Sequence, residues 1–77
     1  MKIYGYLGDV SMSPRAVRFT YTNYRGEVAE RHVLPRSIVF MSTPHHPDEQ
    51  WILRGYDLDK KAERHFALKD LRDWREG

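Results

Sequence analysis

Two arginines stand out because the pattern of the chain places them on strand faces that are otherwise apolar. Arg31 alternates with Val33 in one extended run, and Arg64 alternates with Phe66 in another. A buried guanidinium is rare unless an anion pairs with it. Two interpretations are open: an internal ion pair, with Asp57 as the obvious partner of Arg64, or a pocket whose wall offers a guanidinium to an anionic ligand.

Arg64 belongs to a predicted hairpin within Gln50–Leu71. If residues 58–61 form its turn, three cross-strand pairs share one face, since side chains alternate along a strand. The pairs are Leu53 with Phe66, Trp51 with Leu68, and Gly55 with Arg64. We expect the four apolar members of these pairs to form core, and Gly55 to leave room for a ligand atom beside Arg64.

Arg31 belongs to a second predicted hairpin. Residues 15–23 alternate apolar with polar side chains, as a strand does, and Asn23–Gly26 is typical of a type I turn followed by a glycine bulge. This turn sets a register, which pairs Tyr21 with Ala29, Phe19 with Arg31, and Val17 with Val33. Arg31 then falls on the apolar face, although a slip of one residue would turn either arginine outward.

The remaining segments are predicted from local signals. Pro35 should end the second strand, residues 37–42 read as a third and more buried strand, and residues 43–50 read as a polar loop. Residues 69–76 carry apolar residues at helical spacing, which predicts a C-terminal helix in which Trp74 could cover one open end of the sheet. Residues 1–14 are expected to be an N-terminal arm or short strand, and residues 15–77 the β domain.

The polar loop holds His45, His46, Asp48 and Glu49, which invite a metal interpretation. We favour a solvated loop, because the signature is local and lacks a second ligand cluster. No nucleophile–base pair and no glycine-rich phosphate loop is visible, so we expect a protein that is not an enzyme, with no catalytic residues, no metal and no cofactor.

Composition bounds the remaining possibilities. The chain has 77 residues, no cysteine, and 13 Lys and Arg against 11 Asp and Glu, for a net charge of +2. This length predicts one domain with a small core, and the charge balance is too even to demand a nucleic-acid partner. No apolar run is long enough to span a membrane, and residues 1–10 lack a secretory signal, so we expect a cytoplasmic protein.

An ordered set of short motifs resembles the WYL domain, which is named for a Trp-Tyr-Leu motif. Here that motif is Trp51-Ile52-Leu53, with isoleucine in the central position. The likeness runs from about Ala16 to Leu71, and its pieces follow in order. They are Phe19-Thr20-Tyr21, Gly26, Arg31-His32-Val33-Leu34-Pro35, Trp51-Ile52-Leu53, Tyr56-Asp57 and Arg64-His65-Phe66-Ala67-Leu68.

The resemblance implies a mainly β fold, a small bent antiparallel sheet of the Sm/SH3-like barrel type with about five strands. It also implies a non-enzymatic ligand-sensing module of bacterial transcription regulators, binding a nucleotide or short single-stranded nucleic acid through positive positions of the barrel. Arg31 and Arg64 match two of these positions. Ala67 and Asp70 stand where family members often carry basic residues, which predicts weak nucleic-acid binding.

Two functions of different classes remain open. In the first, Arg31 and Arg64 on the concave face bind an anionic small molecule or a single strand, with Tyr21 or Tyr56 available for stacking. In the second, both arginines are paired internally and the domain acts as an oligomer or as an adaptor for another protein. The chain holds no helix-turn-helix motif, so we expect a stand-alone domain that does not read duplex DNA by that route.

Overall fold

The computed structural model describes residues 15–77, which form one antiparallel sheet of five strands. The strands are β1 (Val17–Thr22), β2 (Val28–Thr43), β3 (His46–Asp57), β4 (Ala62–Ala67) and β5 (Leu71–Glu76), with a 3-10 turn at Leu68–Asp70. Their order across the sheet is β4-β3-β2-β1-β5. The predicted mainly β fold with about five strands is confirmed. The predicted arm at residues 1–14 lies outside the described residues.

The sheet is open but strongly bent. β4 and β1 are three strand spacings apart along the sheet, which would be about 14 Å if the sheet were flat. Nevertheless, the backbone N–H of Ala67 on β4 donates to Oη of Tyr21 on β1 across 2.8 Å. The rings of Phe19 and Phe66, from the same two strands, meet edge to face with centroids 5.1 Å apart. The sheet therefore curls around a single core.

The core lies on the sheet face to which both predicted hairpin registers assign their apolar side chains. Its buried members are Val17, Phe19, Tyr21, Val33, Leu53 and Phe66, with Ile38, Leu68 and Leu71 packed against them. The pairs of Phe19 with Arg31 and of Leu53 with Phe66 are confirmed. The turn between β1 and β2 also has the predicted form, since Gly26 has a φ of +83° and its N–H donates to the carbonyl of Asn23.

Trp51 is the wrong member of the predicted core. The ladder between β3 and β4 ends at the pair of Ile52 with Ala67, because the chain turns at Leu68 into the 3-10 turn. Trp51 lies one residue beyond that end and is 46% exposed. Its ring packs edge to face against Phe40, which is itself 52% exposed.

Pro35 does not end the second strand, and the predicted third strand is the continuation of β2. Proline removes one backbone donor, and a strand accommodates this where its pairing is already irregular. Here the pairing with β3 shifts between Pro35 and Ser37, which is a bulge at Arg36. β2 therefore runs for 16 residues and bends. Its residues 37–42 are half-buried or exposed, so they are less buried than predicted.

Residues 43–50 are mostly strand, although their polarity predicts a loop. β2 and β3 are joined by a tight turn in which Thr43 pairs with His46, and Oγ1 of Thr43 accepts the backbone N–H of His46 across 3.0 Å. Residues 44, 45 and 47–49 are exposed, whereas Thr43, His46 and Gln50 are half-buried, so the polar side chains of this hairpin lie mainly in solvent. Among residues 15–77 no helix has the length and apolar character needed to cross a membrane.

The predicted C-terminal helix is wrong, because residues 71–76 form β5 along the free edge of β1. Between Arg18 and Thr20 of β1 the partner strand advances three residues instead of two, and Asp73 in this bulge has a φ of +60°. The extra residue puts Leu71 and Trp74 on one face, three apart. A bulged strand thus produces the apolar spacing that is typical of a helix.

Candidate functional site

Arg31 lies on β2 opposite Phe19, and its side chain is 19% exposed. Its Nη1 donates to Oδ2 of Asp57 across 3.4 Å, and its guanidinium carbon lies 5.9 Å from the centre of the Phe66 ring. A charge-assisted hydrogen bond is normally about 2.7–2.9 Å long, so this contact is loose. Asp57 therefore pairs with Arg31, and not with Arg64 as the sequence suggested.

Asp57 has a second structural role in the turn between β3 and β4. Its Oδ1 accepts the backbone N–H groups of Asp59, at 2.9 Å, and of Lys60, at 3.0 Å. These donors compensate the burial of a carboxylate that is 1% exposed. Arg31 is less well satisfied, because its Nε is buried and has no acceptor among residues 15–77. The Arg31 guanidinium thus keeps donor capacity that Asp57 does not use.

Arg64 lies on β4 opposite Gly55, in the predicted register, but its side chain is exposed. β4 is an edge strand, so its side chains are covered less than those of the inner strands. No carboxylate of residues 15–77 lies within 4.0 Å of the Arg64 guanidinium. The expectation of a buried Arg64 is therefore wrong, and its charge faces solvent without an ion-pair partner in the described part of the chain.

The space expected beside Gly55 is filled. A Cβ atom at this position would lie 2.5 Å from Cγ1 of Val33 and 3.0 Å from the carbonyl oxygen of Leu34. The glycine is needed so that β3 can approach β2 closely. Any ligand of Arg64 must therefore come from the other side of the side chain.

That side is an open cleft of about 710 Å³, which lies within the size range of small-molecule sites. Arg31 and Arg64 both line it, together with Tyr21 and Phe66 from the core. The two arginines thus face one cavity, although they lie on β2 and β4, which are not neighbours in the sheet. Tyr56 does not line this cleft, so the structure brings together three of the four predicted site residues.

Tyr21 forms part of the cleft wall with an almost completely buried ring. It is 3% exposed, and its Oη accepts the backbone N–H of Ala67. Burial raises the pKa of this hydroxyl, and the Ala67 hydrogen bond only partly opposes the shift. The hydroxyl is therefore protonated at neutral pH, and its own proton remains available to an acceptor.

Several side chains of the cleft were not predicted from the sequence. They are Tyr24 and Arg25 from the turn between β1 and β2, His45 from the turn between β2 and β3, and Lys60 from the turn between β3 and β4. Local patterns identify the first and the third of these turns. They do not indicate that three turns gather around one cavity, because that depends on how far the sheet bends.

The histidine-containing turn has no metal-site geometry. Among residues 15–77 no three Asp, Glu, His or Cys side chains are grouped so that they could hold a metal ion. His46 is directed instead toward Asp70, with its Nε2 3.9 Å from a carboxylate oxygen. The lining of the cleft supplies guanidinium, hydroxyl and aromatic groups that can contact a ligand.

Comparison with known proteins identifies the family of the chain. The model of the WYL domain family matches residues 6–76, which is nearly the whole chain. This chain is a WYL domain. No curated protein and no solved structure matches it significantly.

Family membership defines the general role. WYL domains are regulatory, ligand-sensing modules of transcription regulators, and the family is regulatory rather than catalytic. The likeness in motifs starts at about Ala16, whereas the family match begins at residue 6. The match therefore includes part of the segment 1–14 that was predicted as an arm. The side chains that line the cleft of this WYL domain determine which ligand it can bind.

Proposed function

We propose that this WYL domain senses an anionic ligand, a nucleotide or short single-stranded nucleic acid, which binds in the cleft between Arg31 and Arg64. The observation that carries the proposal is that both guanidiniums line one open cavity and neither is saturated by the described residues. A phosphate can accept two parallel hydrogen bonds from a guanidinium, which makes it a suitable occupant.

The charge of the cleft supports an anion. Four cationic side chains line it, against two carboxylates. The cations are Arg25, Arg31, Lys60 and Arg64, and the carboxylates are Glu27 and Glu63. Glu63 is paired with Arg36 outside the cleft, Nε to Oε2 across 2.8 Å, so its charge is offset from elsewhere. An incoming phosphate therefore meets a net positive surface.

Asp57 sets how Arg31 would engage the ligand. Its Oδ2 competes with a phosphate for the guanidinium, but the contact is long and the carboxylate keeps its two backbone donors if Arg31 turns away. Moving the guanidinium from Asp57 to a ligand would keep both hydrogen bonds to Oδ1 but would remove the described partner of Oδ2, so the contacts of Arg31 with the ligand must offset that cost. A ligand-dependent shift of Arg31 is the simplest way for the cleft to change the surrounding turns.

The alternative is a structural or interaction module, and one observation favours it. Arg31 is internally paired with Asp57, as that interpretation requires. Among the described strands, β4 and β5 also have one unpaired edge each, which could accept another chain. Arg64 argues against the alternative, because it has no carboxylate partner within residues 15–77.

Calorimetric titration of nucleotides and short oligonucleotides into the protein tests the proposal. We expect the parent to bind in the micromolar range and Arg64→Ala to bind at least about tenfold more weakly, since a charged hydrogen-bonding group is lost. Arg54→Ala is the matched control, because Arg54 is also an exposed strand arginine but does not line the cleft. If the parent does not bind at high micromolar ligand, or Arg64→Ala binds as the parent does, the interaction module replaces this proposal.

A further inference from the structure

Tyr24 and His45 form a stacked pair that joins two turns. Their ring centroids are 3.9 Å apart and the ring planes differ by 10°. Tyr24 belongs to the turn between β1 and β2, and His45 to the turn between β2 and β3. Both line the cleft that contains Arg31 and Arg64, and Tyr24 is 52% exposed. An exposed aromatic pair thus lies in the same cavity as two arginines that have unused hydrogen-bond donors.

Neither turn needs this stack to hold its shape. Oδ1 of Asn23 accepts the backbone N–H groups of Arg25 and Glu27, each at 2.9 Å, which fixes the first turn. Oγ1 of Thr43 accepts the N–H of His46 in the second. Because each turn has its own hydrogen bonds, a purely structural role for the exposed rings is the weaker explanation.

The other tyrosines near the site are poorly placed for stacking. Tyr21 is 3% exposed and packs edge to face on Phe66, so its ring is committed to the core. Tyr56 does not line the cleft. Tyr24 is additionally flanked by Arg25, whose Nε donates to the Tyr24 hydroxyl across 3.2 Å. The guanidinium carbon of Arg25 also lies 5.6 Å from the centre of the Tyr24 ring. A cation beside an aromatic ring is the combination that single-stranded nucleic-acid sites use for a base and its phosphate.

We propose that the Tyr24–His45 pair is a stacking platform for a nucleobase, so that the ligand class is a base joined to few phosphates. This inference rests on the proposed function, because the phosphate is assigned to Arg31 and Arg64. The base extends the existing stack, and the phosphate reaches the guanidiniums across the cleft. The arrangement selects nucleotides over base-free phosphates of similar charge.

Two ligands that differ only in the base test the platform. Adenosine monophosphate and ribose 5-phosphate are titrated into the parent, Tyr24→Leu and Tyr24→Phe. We expect the parent to prefer the nucleotide by about tenfold or more, and Tyr24→Leu to lose that preference while binding ribose 5-phosphate unchanged. Tyr24→Phe keeps the ring and should keep the preference, and melting curves of both variants verify that they fold.

The outcomes separate this inference from the proposed function. If the parent binds both ligands equally and Tyr24→Leu changes neither, the cleft binds phosphate but the platform is disproved. An equal loss of both ligands in Tyr24→Leu also disproves it, since the ring would then serve the fold of the cleft. If the parent binds neither of these ligands nor a six-nucleotide single strand, both proposals fail. The six-nucleotide single strand, titrated in parallel, shows whether the preferred source is a free nucleotide or a strand end.

Discussion

At the scale of single residues, Phe66 connects the core to the cleft. It is 2% exposed, its ring packs edge to face on Phe19 and Tyr21, and it also lines the cavity under Arg31. We expect Phe66→Ala to cost about 3–5 kcal/mol, because a large buried ring leaves a cavity. A domain of this size has a total stability of only about 4–12 kcal/mol.

Chemical denaturation measures this cost, with Phe40→Ala as the control. Phe40 is 52% exposed and contacts the exposed Trp51, so its loss should cost under about 1 kcal/mol. A Phe66→Ala protein that unfolds at the same denaturant concentration as Phe40→Ala would contradict the position of Phe66 in the core.

Tyr21 should make the stability of the fold sensitive to alkaline pH. Burial raises the pKa of its hydroxyl above the ordinary value of 10.0, so the folded protein holds this proton to higher pH than the unfolded chain does. Above about pH 10 the unfolded state binds fewer protons, and the free energy of unfolding therefore falls as pH rises. Below pH 10 this contribution is fully present.

Tyr21→Phe separates the hydroxyl from the ring. At neutral pH it should cost about 1–3 kcal/mol, because the buried N–H of Ala67 loses its acceptor. Between pH 9 and 11 the free energy of unfolding of Tyr21→Phe should fall less than that of the parent. Tyr24→Phe, which changes an exposed ring, is the control and should lose as much stability as the parent over this range. Urea unfolding at several pH values measures this, and an equally steep decline in Tyr21→Phe would refute the argument.

At the scale of elements, the two tryptophans differ in whether their rings cover the core. Trp74 on β5 stacks on Phe19 with centroids 5.8 Å apart and planes 2° apart, whereas Trp51 on β3 contacts the exposed Phe40. We expect Trp74→Ala to cost about 2–3 kcal/mol and Trp51→Ala about 1 kcal/mol or less, although their exposures are similar. Equal losses in thermal unfolding would mean that β5 does not cover the core.

The hairpin registers could be predicted because each depends on a local turn. Asn23–Gly26 and the Asp57–Lys61 segment fix which side chains share a face, and this placed Arg31 and Arg64 correctly along their strands. The C-terminal strand could not be predicted in the same way. A bulge at Asp73 interrupts the alternation of apolar and polar residues that is typical of a strand. The segment forms a strand because it pairs with the free edge of β1, and this pairing is not visible in the local sequence.

The cleft could be predicted only in part for a related reason. Register places Arg31 and Arg64 on one face, but exposure depends on which strands lie at the edge of the sheet. The prediction that Arg64 is buried is therefore wrong, and Asp57 pairs with Arg31 instead of the predicted Arg64. The stacking of Tyr24 on His45 joins turns about twenty residues apart, which no local pattern encodes.

At the scale of the whole molecule, the net charge of +2 and the few cations of the cleft predict a shallow salt dependence. Ala67 and Asp70, two positions at which the resemblance to the family predicts basic residues, add no positive charge here. Ala67 is completely buried, with its N–H bonded to Tyr21, and Asp70 is an acid paired with Lys69 across 3.1 Å. The ligand phosphates should therefore meet mainly Arg31 and Arg64.

If about two phosphates are engaged, affinity for a single strand should fall only about sevenfold between 50 and 200 mM salt, against more than a hundredfold for about six contacts. Arg64→Ala should roughly halve the slope of log affinity against log salt, because one of the two contacts is removed. Arg54→Ala should leave the slope unchanged, since Arg54 lies outside the cleft. A steep slope in the parent, or an unchanged slope in Arg64→Ala, would place the phosphates on other cations of the surface and away from this cleft.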